Sequence, residues 1–249
     1  MSEGLLEAVD VVKQLGSGAG TVQALKGVNL KLSGGQLTLL MGPSGSGKTT
    51  LLCILGCMLT PTSGTVRVRG HATNGAGPEE LAKLRREHVG FVFQSYHLFP
   101  TLTATDNVRL ALDVRGEHSG KAAEKAKNAL ARVGLSHKLK AYPRELSGGE
   151  QQRVAIARAI VGNPSVILAD EPTAALDSEN GKAIMTVLSE ITRDAAHGVL
   201  VVTHDPRILP YANRVIHIED GRIVGEEPGL AKISAKSDGS CSGHDHAKP

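Results

Sequence analysis

The chain has 249 residues, 41% of them hydrophobic, with 28 Lys or Arg against 25 Asp or Glu. That length is long for one simple domain and short for two, so it points to one core with insertions, and a formal charge of +3 gives no basic stripe for nucleic acid. No apolar run approaches the length of about 18 residues that a membrane helix needs, and three cysteines do not make a disulfide framework.

The opening Met1-Ser2-Glu3-Gly4 lacks the basic start of a secretion signal, so the chain is expected in the cytosol unless a partner holds it elsewhere. Residues 1 to 40 alternate apolar and polar positions and break at Gly16 to Gly20 and at Ser33 to Gly35, which predicts short strands joined by turns. Leu37 to Met41 reads as a buried strand, and Leu51 to Leu59 as an apolar helix.

Between them lies Gly42-Pro43-Ser44-Gly45-Ser46-Gly47-Lys48-Thr49-Thr50, which fits the phosphate-binding pattern G-x-x-x-x-G-K-[ST] in its required strand–loop–helix context. Gly42, Gly45 and Gly47 let the chain curl so that successive N–H groups point at an anion. The helix beginning near Lys48 adds its positive end. Lys48 is placed to reach the β- and γ-phosphates, and the Thr49 hydroxyl is a hard oxygen ligand for Mg²⁺. Cys53 and Cys57, four apart on that helix, read as two small buried apolar side chains.

Thr65 to Arg69 continues the strand pattern, which suggests an antiparallel layer flanking the P-loop core. Pro78 to Arg86 is a short charged helix and Val89 to Phe93 a buried strand. Helical patterning dominates from Ser95 to Val133 and is clearest over Lys121 to Val133, with Gly134 as its stop. A further helix is expected from about Glu150 to Val161, a parallel strand over Val166 to Ala169, a helix over Asn180 to Arg193, a strand over Val199 to Thr203, and a hairpin around Asp220-Gly221. The polar, Gly/Ser-rich end reads as a disordered tail. Its Cys241, His244 and His246 make at best a weak metal site, and a solvated tail is the better reading.

Two further constellations carry chemistry. The strand Val166 to Ala169 ends in Asp170-Glu171, and ligands collect at the carboxyl ends of parallel strands. Asp170 is thereby expected beside Thr49 and its Mg²⁺, with Glu171 orienting a water for in-line attack on the γ-phosphate. Leu146-Ser147-Gly148-Gly149-Glu150-Gln151 places two glycines and a serine hydroxyl at a helix start, a second anion site in one chain. Two phosphate cradles for one nucleotide make sense if they come from different subunits. A plain Ser-Gly-Gly helix cap explains Ser147 but not the whole set.

These motifs resemble those of the ATP-binding subunits of ABC transporters, in the same order, over about residues 5 to 228. Gly42 to Thr50 is similar to that family's P-loop, Leu146 to Gln151 to its signature, and Val166 to Glu171 to its Walker B strand with the catalytic glutamate. Gln94 falls at the Q-loop position, Ala174-Ala175-Leu176-Asp177 resembles the D-loop, and His204 the switch histidine. The resemblance implies an α/β fold: a RecA-like P-loop NTPase with a parallel-sheet core, an antiparallel β subdomain and an inserted helical subdomain at about 95–162. The ATP-binding domain is expected over 1–232 and the disordered tail over 233–249. It implies an ATPase using ATP and Mg²⁺, with Glu171, His204 and Gln94 catalytic, Thr49, Gln94 and Asp170 around the metal, and Ser147, Gly148, Gly149 and Glu150 contacting ATP in trans across a head-to-tail homodimer.

The stretches Leu84 to Gln94 and Leu102 to Val108 resemble the lipoprotein-release and macrolide-export branch. That branch implies a peripheral protein on the cytoplasmic face of the membrane, driving integral permease subunits of an exporter or lipid-extraction system, with no nucleic acid. A soluble ABC-type ATPase is the alternative, but such proteins usually carry tandem cassettes or long insertions. A P-loop kinase has no use for Leu146 to Gln151. Four of the six aromatic residues, Phe91, Phe93, Tyr96 and Phe99, fall within nine positions. Tyr96 and Phe99 lie beyond the strand, where clustered aromatics suit a docking site for the permease. One departure concerns base recognition. The aromatic that usually stacks on adenine is replaced by Leu15, and stacking is worth roughly 1–3 kcal/mol per base in single-stranded nucleic-acid complexes. Base selectivity is therefore expected to be loose, unless Leu15 or Val22 supplies enough apolar contact.

Overall fold

The computed structural model describes residues 4–118, 120–174 and 176–231. The expected tail, with Cys241, His244 and His246, lies outside the described residues, as does Ala175 of the D-loop stretch. The amino-terminal segment forms two long strands instead of short ones, β1 (Leu6–Leu15) and β2 (Val22–Leu32). Register shifts between Ala8 and Val11 and between Lys13 and Gln14 absorb irregularities that would otherwise end the ladder. In chain order there follow β3 (Gln36–Met41), α1 (Lys48–Leu55), β4 (Ser63–Val68), β5 (His71–Ala72), α2 (Pro78–His88), β6 (Val89–Val92), α3 (Ala104–Asp113), α4 (Gly120–Arg132), α5 (Gly148–Ile160), β7 (Val166–Asp170), α6 (Ser178–Ile191), β8 (Gly198–Thr203), β9 (Arg214–Glu219) and β10 (Arg222–Pro228).

The strands make an antiparallel sheet, β2-β1-β4-β5, and a larger sheet, β10-β9-β3-β8-β7-β6. In the larger sheet β6, β7, β8, β3 and β9 run parallel, and only β10 is antiparallel. The expected hairpin at Asp220-Gly221 is present, and β9 joins it to the main sheet beside β3. The central strands are buried throughout β7 and β8 because both faces are covered. On one face Leu37, Leu39, Ile167 and Val201 meet the helices α3 to α6. On the other, Leu40, Leu168 and Val202 meet α1 and the antiparallel sheet.

The helix ends follow from local chemistry. Pro78 opens α2, with Glu79 and Glu80 in its first turn and Arg85, Arg86 and His88 in its last, all matched to the helix dipole. The Thr103 hydroxyl accepts from the Asp106 N–H and starts α3 there, so residues 95 to 103, expected to be helical, form a loop. Helix α1 ends at Leu55, four residues before the expected end, with Gly56 as its cap. Cys57 therefore leaves the helix, at φ +56°, and does not share a helix face with Cys53. It is buried, and burial pushes its thiol up to about 11, as expected of an inert apolar side chain.

Candidate active site

The carboxyl ends of β3, β7 and β8 open into a pocket of about 710 Å³. Pro43, Ser44, Gly45, Gly47, Lys48, Thr49 and Thr50 line it with Gln94, Asp170, Glu171 and His204. Motifs separated by up to 160 residues in the chain thus share one cavity, because parallel strands present their carboxyl ends on one side.

The loop is shaped by close approach as much as by curl. A Cβ at Gly42 would sit 2.0 Å from the Ile218 carbonyl oxygen of β9, so this glycine is needed for space. Gly47 has φ +96° and caps α1, and a Cβ there would sit 2.6 Å from the Ala24 carbonyl. Lys48 is buried, and its Nζ donates to the carbonyls of Gly42 and Pro43 at 2.8 and 2.7 Å. The Thr49 hydroxyl donates to Asp170 Oδ1 at 3.4 Å. Burial raises the Asp170 carboxyl above its ordinary value; the Thr49 hydroxyl opposes this, the Glu171 charge adds to it and the Lys48 charge opposes it.

Glu171 sits at φ +45°, just past β7, with its N–H donating to the Val202 carbonyl at 2.9 Å. One carboxylate oxygen lies 2.7 Å from His204 Nδ1, and the other accepts from the Thr203 hydroxyl at 3.2 Å. A carboxylate held on both oxygens in a non-glycine left-handed conformation is a costly arrangement of the kind that persists at functional sites. Gln94, one residue beyond Phe93 after β6, is exposed at the pocket wall. Leu15 and Val22 stand at the rim, 41% and 64% exposed, where the base of a nucleotide would find an apolar edge. Sequence reasoning missed Gln23, Ala24, Asp220 and Gly221, which also line the pocket. The signal for these was weak, since the ion pair joining the two segments, Lys26 to Asp220, spans 194 positions.

Ser147, Gly148, Gly149 and Glu150 lie outside this pocket. Ser147 caps α5, accepting from the Glu150 N–H at 3.3 Å while Glu150 accepts from the Ser147 N–H at 2.8 Å. That backbone bond holds the Glu150 carboxyl below its ordinary value. Ser147 and Gly148 are exposed, whereas Gly149 is buried against Asn180. Asp177 caps α6, and both its oxygens accept from Asn180, at 2.8 and 2.7 Å. Asn180 Oδ1 in turn accepts from Arg153 of α5. The D-loop aspartate is thus tied to the signature helix through a residue that carried no signal in sequence.

A second tie runs from the Q-loop. Tyr96 and His97 both adopt positive φ, +59° and +49°. Arg158 of α5 donates to their carbonyls at 2.7 and 2.6 Å. The Tyr96 hydroxyl lies 3.1 Å from where a Cβ on Gly148 would be. Tyr96, expected as an exposed docking aromatic, is half-buried beneath the signature, whereas Phe99 is 50% exposed. Phe93 lies outside β6, and its ring is tilted against those of Phe91 and His97, with centroids 4.3 and 4.6 Å away.

The fold and the pocket define a P-loop ATPase domain. The family model for ABC transporters matches residues 25–174. The macrolide export ATP-binding/permease protein MacB of Salmonella choleraesuis (strain SC-B67) is 47% identical over 228 residues, 92% of this chain and 35% of that protein. The protein of the same name from Shigella flexneri is 45% identical over 230 residues. Among solved structures, the dimeric post-hydrolysis state of the ATP-binding cassette MJ0796 bound to ADP and Pi gives a TM-score of 0.85 at 43% identity, covering 90% of this chain and 98% of that one. A second dimeric structure of MJ0796, described as a bacterial ABC transporter cassette, gives 0.84 at 41% identity. The chain belongs to the ABC transporter family and is an ABC-type ATPase. It spans about a third of the length of the curated relatives it matches, and among the described residues no helix is long and apolar enough to cross a membrane.

Proposed function

We propose that the chain binds ATP in the P-loop pocket, pairs head to tail with a second copy around two nucleotides, and drives membrane permease subunits of an export or lipid-extraction system from the cytoplasmic face. The observation that carries this reading is the convergence of Lys48, Thr49, Gln94, Asp170, Glu171 and His204 on one pocket, with Ser147 to Glu150 outside it at a helix start where Ser147 and Gly148 are exposed. Two of the solved neighbours are dimers, and the relatives' name joins ATP-binding and permease functions in one protein.

In this reading Gly42 to Thr50 cradle the phosphates and Lys48 adds a point charge on the β- and γ-phosphates. The hydroxyl of Thr49, the carboxylate of Asp170 and the amide oxygen of Gln94 form an all-oxygen set that fits Mg²⁺. The bound ion supplies neutralisation of phosphate charge. Glu171 takes a proton from water as the water oxygen bonds to the γ-phosphorus and the bond to ADP breaks. His204 orients the Glu171 carboxylate. Ser147, Gly148, Gly149 and Glu150 serve the γ-phosphate held by the partner copy, with Asp177 steadying that surface. Leu15 and Val22 give the base apolar contact without stacking.

The test is Glu171→Gln. It should still bind Mg-ATP and hydrolyse it at least about a hundredfold more slowly. In gel filtration with ATP and Mg²⁺ it should run as a dimer. A variant that stays monomeric and keeps near-normal turnover overturns both the base and the sandwich.

A further inference from the structure

Thr203 is the last residue of β8, which lies between β3 and β7 in the larger sheet. It follows four apolar residues, Val199 to Val202, and is fully buried. A hydroxyl in such a place costs stability unless it is hydrogen-bonded. This one makes two bonds. Its Oγ1 accepts from the Asp205 N–H at 2.9 Å and donates to Glu171 Oε2 at 3.2 Å. An N–H only donates and an ionised carboxylate only accepts, so the two bonds run in one direction and commit the hydroxyl proton to Glu171. The main chain repeats the tie one residue earlier, where the Glu171 N–H donates to the Val202 carbonyl at 2.9 Å. Consecutive residues of a central strand thus hold both the backbone and the carboxylate of a residue at φ +45°. The other contact of that carboxylate is of a different kind. His204 Nδ1 lies 2.7 Å from Oε1, but the His204 side chain is 71% exposed. An exposed imidazole turns freely about its side-chain bonds, whereas a buried β-branched side chain in the middle of a sheet does not.

We infer that Thr203 is a positioning residue for hydrolysis: its hydroxyl aims the Glu171 carboxylate at the attacking water and holds it there when His204 turns away. This rests on the proposal that Glu171 is the base. Thr203 itself touches neither nucleotide nor water in this role and acts only through Glu171. A hydroxyl that served only the turn at Asp205 would leave the rate of hydrolysis alone, so the two roles are separable.

The experiment measures steady-state ATP hydrolysis by the full chain for Thr203→Val, Thr203→Ser and Thr203→Ala, each alone and combined with Glu171→Gln. Thr203→Val keeps the shape without the hydroxyl. It should lower kcat about ten- to a hundredfold, the cost of a misplaced reacting group, with KM for ATP within about twofold of the original. Thr203→Ser keeps the hydroxyl and should stay within about threefold of the original kcat. Combined with Glu171→Gln, Thr203→Val should slow the residual turnover by less than about twofold, because the base it positions is already gone. Near-original kcat in Thr203→Val overturns the inference. So does a Thr203→Ser protein as slow as Thr203→Val, or an equal fold-loss with and without Glu171→Gln. If Thr203→Val does not fold, Ser against Ala reads the hydroxyl alone, and Thr203→Ala turning over as fast as Thr203→Ser overturns it. Near-normal turnover in Glu171→Gln overturns the base reading itself, whereas a slow Glu171→Gln beside a fast Thr203→Val overturns only the role of Thr203.

Discussion

The molecule holds its two glycine-rich motifs by different means. The P-loop end is set by main chain: Gly42 and Gly47 are wedged under the carbonyls of Ile218 and Ala24, and α1 grows directly from a buried parallel strand. The signature end is set by polar side chains. Arg158 holds the Q-loop carbonyls, Arg153 reaches Asn180, and Asn180 reaches Asp177. A motif fixed by backbone stays where the core puts it. One fixed by a few side chains follows the loops that bear them, and those loops carry Gln94 and Asp177. The signature helix is thus wired to the segments that line or flank the ATP pocket.

The strongest way to break this comparison is to mix lesions from both ends. Lys48→Ala alone should abolish ATP turnover while leaving the fold intact, and Ser147→Arg alone should do likewise, with about 0.5–2 kcal/mol of stability lost along with the α5 cap. Heterodimers of the two carry one site with both lesions and one with neither, so mixtures should regain measurable activity. No regain would favour independent monomer sites or two obligatorily coupled ones.

Arg158→Ala tests the side-chain tie. Hydrogen bonds to a charged group are worth about 1.5–3 kcal/mol, and removing this donor leaves two strained residues unsupported. Stability should fall by about that amount in urea unfolding. ATP-dependent dimerisation should suffer more than binding of a fluorescent nucleotide to the monomer. An equal loss in both assays would make Arg158 a stabilising residue only.

Asp170→Asn should act in the opposite direction on stability. The folded-state carboxyl of Asp170 is raised by burial, so its ionised form costs stability above that value. Asparagine keeps the acceptor for Thr49 without the charge. In the absence of nucleotide and metal, the variant's Tm at pH 7 should rise, by about 2–4 °C for each kcal/mol recovered, while hydrolysis is lost. A lower Tm would show that the ionised carboxylate stabilises the pocket.

The P-loop end was far more legible in the sequence than the signature end. Lys48, Thr49, Asp170, Glu171 and His204 sit in short motifs at strand ends, where local patterning and parallel topology suffice to place them. Even there the reason for Gly42 was hidden: its need comes from β9, which meets β3 only through the fold. Arg153, Arg158 and Asn180 were silent because nothing distinguishes an arginine that clamps a loop from one on a solvated helix face. Cys57 was misplaced because the apolar run continues past Gly56, where the backbone turns out of the helix. Phe99 and Tyr96 looked alike as neighbouring aromatics, and only the placement of α5 separates the exposed one from the one under Gly148.

The smallest expected effect sharpens the comparison through pH. The Glu150 carboxyl is held below its ordinary value, first by the Ser147 N–H, the reverse of Asp170. A depressed value means that the native state prefers the ionised form. Its contribution is present above the unfolded value, about pH 4.3 for a glutamate, and is lost as pH falls through the folded value. Glu150→Gln keeps an acceptor for Ser147 but removes the charge and its attraction to Lys138, 3.7 Å away. At pH 7 the variant should be less stable by about 0.5–1 kcal/mol, the low end for a helix cap. Below the unfolded value the gap should shrink as pH falls. The other depressed carboxyls, Asp177, Asp205, Asp220 and Glu226, titrate in both proteins and cancel in the difference. Paired urea curves at pH 7 and pH 3 read that difference. A gap that persists unchanged at pH 3 would mean that the cap acts by shape alone, and the opposite electrostatics of the two ends would not hold.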